Sequence, residues 1–137
     1  MKIYKIIISC LIAACLLLIF CGFSYASEQL QAGNRYKIIG PVYLSGIYLN
    51  KQASVGSLTA VQFSGPEVEF QCKVPVGTIV TILGPAPKRL PLFFYANRYF
   101  IQLDPDLSRG LDVVVELDRG IEGNLDGLNP ELFSREK

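Results

Sequence analysis

The sequence predicts an all-β fold, a small antiparallel barrel or sandwich that follows an N-terminal signal helix. After residue 34, apolar and polar residues alternate in runs of about five to eight residues, which is the pattern of strands with one buried face. Glycine and proline separate these runs, as in the turns between short strands. After the leader, helical features are confined to a short segment at the C-terminus.

The predicted strands cover residues 35–39, 42–49, 58–63, 68–74, 78–83, 92–95, 99–103 and 111–117. Residues 96–98 form the turn of a predicted hairpin, because Asn97 tolerates positive φ. At the C-terminus, Asn129 is a capping residue and Pro130 suits the first helical position, which predicts a short helical turn reaching Arg135.

The first 26 residues predict export from the cytoplasm. Lys2 and Lys5 precede an apolar run over residues 6–23. Ser24-Tyr25-Ala26 then has the small residues that a signal peptidase recognises. Cleavage after Ala26 leaves a mature chain of about 111 residues, which fits one domain without a disulfide framework.

Two alternatives for the leader stay open. Its 18 apolar residues approach the roughly 20 that a membrane-spanning helix needs, so the leader could stay as an uncleaved anchor. Residues 12–15 (IAAC) also fit the pattern before a lipid-modified cysteine. In all three cases the protein is periplasmic or secreted, and the membrane is contacted only through the N-terminal segment. Residues 27–34 are then a short tether, and residues 35–137 are a single domain.

The mature chain keeps one cysteine, Cys72, so it has no intramolecular disulfide. Phe70, Cys72 and Val74 alternate with the polar Gln71 and Lys73. This alternation places the thiol on the apolar face of a strand, where a cysteine behaves as a small hydrophobic residue.

Composition excludes several classes of function. The chain has no histidine, which excludes a Ser-His-Asp triad, a Cys-His pair and a histidine-ligated zinc. Glycine-rich phosphate-binding motifs are also missing. The charges show no basic stripe, so nucleic acid is not a predicted partner. Residues 27–103 carry seven basic and three acidic side chains, whereas residues 104–137 carry four basic and nine acidic ones.

The acidic C-terminal part offers two further hypotheses. Asp112, Glu116 and Asp118 alternate with apolar residues and could serve a small carboxylate-based hydrolase, which needs two carboxyl groups across one cleft. Calcium is a weak alternative, with ligands Asp104, Asp106, Ser108 and Asp112. An EF-hand loop also needs a glutamate at its twelfth position, and counting from Asp104 this position is Val115. Residues 122–127 (EGNLDG) lack this glutamate as well. No other cofactor is predicted.

One segment resembles the centre of bacterial SH3-like domains. Residues 74–84 (VPVGTIVTILG), followed by residues 99–103 (YFIQL), have the family's turn glycine, alternating strand and aromatic at the start of the later strand. Tyr99 stands where the family has tryptophan, and Gly40-Pro41 is only a fragment of its Asn-x-Arg-x-Gly-Pro loop. The resemblance implies a barrel-like topology and a cell-wall or protein-binding role, but it identifies no binding residues.

These observations together predict an exported, non-enzymatic module that binds a protein or an envelope component. The predicted contact is an aromatic hairpin over residues 92–100 and the preceding loop over residues 84–91, since aromatic side chains on adjacent strands must point to both faces. The candidate binding residues are Phe93, Tyr95, Arg98, Tyr99, Lys88 and Arg89. The alternative is an inhibitor or immunity-type protein that uses the acidic loop over residues 104–112.

Overall fold

The computed structural model describes residues 30–49, 52–87, 97–118, 120–124 and 127–137. The leader and the predicted strand over residues 92–95 lie outside these ranges. Within them, no helix has the length and apolar character needed to cross a membrane.

The described residues form ten strands and no helix, so the all-β prediction is confirmed. The strands are β1 (Arg35–Ile38), β2 (Tyr43–Leu49), β3 (Gln52–Thr59), β4 (Val68–Lys73), β5 (Ile79–Pro85), β6 (Arg98–Asp104), β7 (Val113–Glu116), β8 (Gly123–Asn124), β9 (Gly127–Leu128) and β10 (Phe133–Arg135). Eight of them form one sheet in the order β10-β1-β5-β6-β7-β3-β2-β4, and β8 pairs with β9 alone.

The prediction of an antiparallel barrel or sandwich is wrong in two respects. β3 and β7 are parallel, with Ser57 opposite Val114, so the sheet is mixed. The sheet is also not closed into a barrel, because the outer strands β10 and β4 each pair with a single neighbour. Local alternation in the sequence identifies strands but carries no signal for a pairing between residues more than fifty positions apart.

The predicted C-terminal helix is also wrong beyond its first turn. Asn129 does cap a turn, since its Oδ1 accepts a hydrogen bond from the Glu131 N–H at 3.0 Å. The backbone N–H groups of Leu132 and Phe133 donate to the Asn129 carbonyl. The chain then extends as β10 because Phe133, opposite Ile38 in β1, is buried in the core.

The third strand lies earlier in the chain than its sequence indicated. The sequence pattern predicts a strand over residues 58–63, but β3 spans Gln52–Thr59. Gly56 has low β-propensity, yet Gly56 and Ser57 are both paired on two sides, with β2 and with β7. Tertiary pairing therefore overrides the local preference.

One face of the sheet forms the core. Leu44, Leu58 and Val115 lie in register on three adjacent strands and are almost completely buried. Ile38 of β1 and Leu44 of β2 belong to the same cluster, although four strands lie between β1 and β2 in the sheet. The sheet must therefore curve around this single core. Cys72 packs against the core from β4 and is partly buried, on the face that its sequence pattern predicts.

The N-terminal end of the described chain docks onto the same body. Leu30 packs against the core cluster, and the Gly33 N–H donates to the Ile82 carbonyl at 2.7 Å. The described part of the predicted tether, from residue 30 onwards, is therefore in contact with the domain.

A three-layer stack closes the core beside β4. The Phe70 ring lies directly over Gly46 of β2, where no Cβ could be accommodated without a shift. The Arg109 guanidinium lies over the same ring, 4.0 Å from its centroid. Gly46, Phe70 and Arg109 thus join β2, β4 and the loop after β6.

We expect Gly46→Ala to destabilise the fold by about 1–3 kcal/mol, because the added methyl group overlaps the Phe70 ring. The free energy of unfolding, measured by chemical denaturation, checks this. The matched background is Phe70→Ala, in which Gly46→Ala should have no cost or stabilise by up to about 1 kcal/mol, since alanine suits a strand better than glycine. An equal cost in both backgrounds would show that the ring does not exclude the methyl group.

Tyr36 generates a prediction at alkaline pH. Burial raises the pKa of its phenol above the ordinary value of 10.0, while Arg135 and a hydrogen bond with Asn34 oppose this. Because the folded-state pKa is raised, the stabilisation is complete below about pH 10 and is lost as the pH rises through the folded-state pKa. The unfolding free energy of wild type relative to that of Tyr36→Phe should therefore fall as the pH rises above 10. A difference that does not change with pH would contradict this assignment.

Candidate functional site

The sheet face opposite the core carries two concavities. Val114 of β7 is opposite Phe100 of β6 and Ser57 of β3, so these three side chains share one face. The neighbouring Val113 and Val115 point into the core. We call the face of Val114 the outer face.

The first concavity, the β3–β7 cavity, has a volume of about 220 Å³. Ile47, Val55, Val68 and Val114 supply apolar lining. Its charged lining residues are Glu67, Arg98, Glu116 and Glu122.

Arg98 is held deep in this cavity. Its side chain is only 9% exposed, and its Nε lies 2.9 Å from Oε1 of Glu116, which is 37% exposed. The Nε–H is not aligned on this oxygen, so the contact is an ion pair without a hydrogen bond. Nη1 donates to the Pro87 carbonyl at 3.0 Å. The charge of Arg98 is thus matched by Glu116, which lies opposite it in the β6–β7 register.

Glu122 is the most deeply buried carboxylate among the described residues, at 5% exposure. Its Oε1 accepts a hydrogen bond from the Ala60 N–H at 3.0 Å. Its backbone carbonyl accepts from the Asn129 N–H at 2.9 Å. Glu122 therefore fastens the segment after β7 to the end of β3 and brings a carboxylate into the cavity.

The second concavity, the β5–β6 groove, has a volume of about 390 Å³. Leu83, Pro85, Phe100 and Leu111 supply apolar lining, and Leu83 is 53% exposed. The register of β5 and β6 shifts between Ile82 and Gly84. Gly84 adopts a φ of 148°, which is in the region that favours glycine. This bulge shapes the floor of the groove.

The acidic loop after β6 forms one side of the groove through Asp106, Ser108 and Asp112. Asp106 Oδ1 accepts a hydrogen bond from the Ser108 N–H at 2.8 Å, and Ser108 Oγ accepts one from the Gly110 N–H at 3.3 Å. Hydrogen bonds from the Ser108 hydroxyl and then from its N–H lower the pKa of Asp106 below 3.8. Asp106 is therefore ionised at neutral pH.

The geometry does not gather the proposed calcium ligands. Among the described residues, no three acidic or thiol side chains converge closely enough to hold a metal ion. Asp106 instead completes an Asx turn, the usual role of such a side chain in a loop. In the second acidic segment, residues 125 and 126 lie outside the described ranges.

The carboxylates considered for hydrolysis are separated. Asp112 lines the β5–β6 groove, whereas Glu116 lines the β3–β7 cavity. Asp118 accepts a hydrogen bond from the Asn97 N–H at 2.7 Å. The three acids therefore do not share one cleft.

The hairpin residues divide into two groups. Lys88, Arg89, Phe93 and Tyr95 lie outside the described residues. Arg98 and Tyr99 are described. The Arg98 side chain lines the β3–β7 cavity and is 9% exposed. Tyr99 packs against the core cluster, opposite Val115.

Sequence reasoning missed Leu83 and Glu122. Leu83 is an ordinary member of an alternating strand in the sequence, and only the bulge after Ile82 places it beside Phe100. In the sequence, Glu122 stands out only as the first residue of the acidic segment 122–127. Its contact with Ala60 joins residues 62 positions apart, and no local pattern signals such a contact.

No family model matches the chain, and no curated protein or solved structure is significantly similar to it.

We expect Glu116→Gln to destabilise the fold by about 1–3 kcal/mol, because it leaves the buried Arg98 guanidinium without a counter-charge. The free energy of unfolding checks this. Glu136→Gln is the matched control, since Glu136 pairs with the half-exposed Arg35 and Lys37 and should cost less than about 1 kcal/mol. The double variant Arg98→Met/Glu116→Gln should recover part of the loss. A cost no greater than that of Glu136→Gln would show that the pair is not effectively buried.

Proposed function

We propose that the protein is an exported, non-enzymatic binding module that contacts a protein of the envelope or the secreted fraction through the β5–β6 groove. One observation carries the proposal. The groove combines exposed apolar side chains with two carboxylates, and no basic side chain is among the lining residues that the structure describes.

The apolar part of the groove favours a ligand with a hydrophobic side chain. Leu83 is half exposed on a strand of the sheet, and Phe100 is only partly buried beside it. Large exposed apolar side chains that border a concave surface are typical of contact sites. A partner that inserts a leucine, methionine or aromatic side chain would remove both residues from water.

The charged side of the groove favours a basic ligand. Asp106 is ionised, and its orientation is set by the turn to Ser108. Asp112 lines the same groove. Complementary charge accelerates association and selects partners, so a segment with a lysine or arginine next to its apolar anchor fits the groove best.

The two strands of the groove are also joined by the segment that the sequence predicts as the contact surface. β5 ends at Pro85 and β6 begins at Arg98, so the segment with Lys88, Arg89, Phe93 and Tyr95 connects two strands of the groove. These residues remain candidate contacts. The resemblance of residues 74–103 to bacterial SH3-like domains points to the same class of function.

The second candidate is an inhibitor or immunity-type protein. The acidic loop lines the groove, and this observation favours it. In this case the basic partner is a secreted enzyme, and binding suppresses its activity. The two candidates use one surface and differ in the identity of the partner.

The test is site-specific photo-crosslinking in the native host with the full chain and a C-terminal tag. A crosslinker at Leu83 or Gln102, both in the groove, should capture one discrete partner. A crosslinker at Val76 is the control, because Val76 is 65% exposed and is not part of the groove. N-terminal sequencing of the captured protein shows whether cleavage occurs after Ala26.

Charge-neutral variants test the acidic side of the groove. Asp106→Asn/Asp112→Asn should reduce the crosslinking yield several-fold, whereas Asp104→Asn in the same loop should retain it, because Asp104 is not part of the groove lining. Equal capture from Val76, or no capture from either groove position, would contradict the proposed surface.

A further inference from the structure

We propose that the β3–β7 cavity is a binding site for a small organic cation, a primary ammonium group on a short apolar chain. This site is separate from the β5–β6 groove and does not depend on the proposed function.

Glu122 is the residue whose environment favours a bound cation. The residue is 5% exposed, and among the described residues its carboxylate accepts one hydrogen bond, from the Ala60 N–H. An ionised carboxylate has room for about four hydrogen bonds. Burying one with few partners is unfavourable unless a positive charge compensates it. An ammonium group in the cavity would supply the charge and up to three donors.

The other charges do not supply this compensation. Among the described residues that line the cavity, Arg98 is the only basic one, and its Nε lies 2.9 Å from Glu116. Its Nη1 is bound to the Pro87 carbonyl. Once Arg98 and Glu116 are paired, Glu122 and the exposed Glu67 give the described part of the lining a net negative charge, which favours a cation over an anion.

The walls and the volume define the rest of the ligand. Val55, Val68 and Val114 offer an apolar surface next to the carboxylates. A cavity of about 150 Å³ accommodates benzene, so 220 Å³ has room for an amine with about six non-hydrogen atoms. An alkylammonium ion of this size would place its chain on the valines and its charge at Glu122.

The probes are pentylamine, 1-pentanol and pentanoate, which share a five-carbon chain and differ in charge. Each is titrated into the protein recovered from the exported fraction, and the backbone amide signals are followed by NMR. Pentylamine should shift the signals of Ala60 and Ser57 and should bind about tenfold or more tightly than 1-pentanol, because a charge-assisted hydrogen bond to a buried carboxylate adds at least that factor. Pentanoate should bind most weakly.

The matched variants are Glu122→Gln and Glu131→Gln. Glutamine at residue 122 keeps an oxygen for the Ala60 N–H but removes the charge, so pentylamine should then bind no more tightly than 1-pentanol. Glu131 is exposed and is not part of this cavity, and its variant should bind like wild type.

Three results would overturn the proposal. They are equal binding of amine and alcohol to wild type, tighter binding of pentanoate, or no shift of Ala60 at millimolar amine. All three are measured on the wild-type protein, so they remain interpretable if the Glu122→Gln variant folds poorly. Failure here leaves the crosslinking test of the β5–β6 groove unaffected.

Discussion

The parallel pairing of β3 with β7 is the constraint on which the rest of the structure depends. It joins two antiparallel units, β10-β1-β5-β6-β7 and β3-β2-β4, into one sheet. The Gly56 N–H donates to the Asp112 carbonyl at 2.8 Å at the start of this junction. A Cβ on Gly56 would lie 3.1 Å from Cγ2 of Val113, so the close approach of the two strands depends on glycine. Without this pairing, the core residues of β2 and those of β5 would not enclose the same space.

The β3–β7 junction also sets the positions of the two concavities on the outer face. The β3–β7 cavity lies across it, since Val55 and Ser57 come from one unit and Val114 and Glu116 from the other. The β5–β6 groove lies beside it, within the first unit. Phe100 and Val114 are directly opposite each other between the two concavities. Ser45, fully buried on the outer face and bonded to Gln71 at 2.8 Å, shows that this face is covered in part by the chain itself.

The sequence predicted those features that depend on neighbouring residues. Alternation located β1, β2, β4, β5 and β6 to within a few residues, and it placed Cys72 on the core face. The Asn129 cap was also recognisable. The alternation failed where distant contacts decide the outcome, as for β3 with its central Gly56 and for Phe133, which extends into β10 because Ile38 and the core lie opposite. The residues of the candidate site divide in the same way, into those that a local pattern predicts and those that depend on distant contacts. Asp106 and Asp112 were identified as an acidic loop, whereas the buried Arg98–Glu116 pair and the Glu122–Ala60 contact required the fold.

The stack of Arg109 on Phe70 has a consequence for the kinetics of recognition. Arg109 has a φ of 55°, an uncommon conformation for a residue with a side chain, and its guanidinium is held on the ring of β4. Two side chain-to-backbone hydrogen bonds inside the loop restrict the same segment. The acidic loop is thus held in one conformation by its own contacts. For the proposed binding function, association would then cost little loop entropy. Selectivity would depend on the charge and shape of a rigid rim, and the lifetime of a complex on the dissociation rate of its apolar anchor.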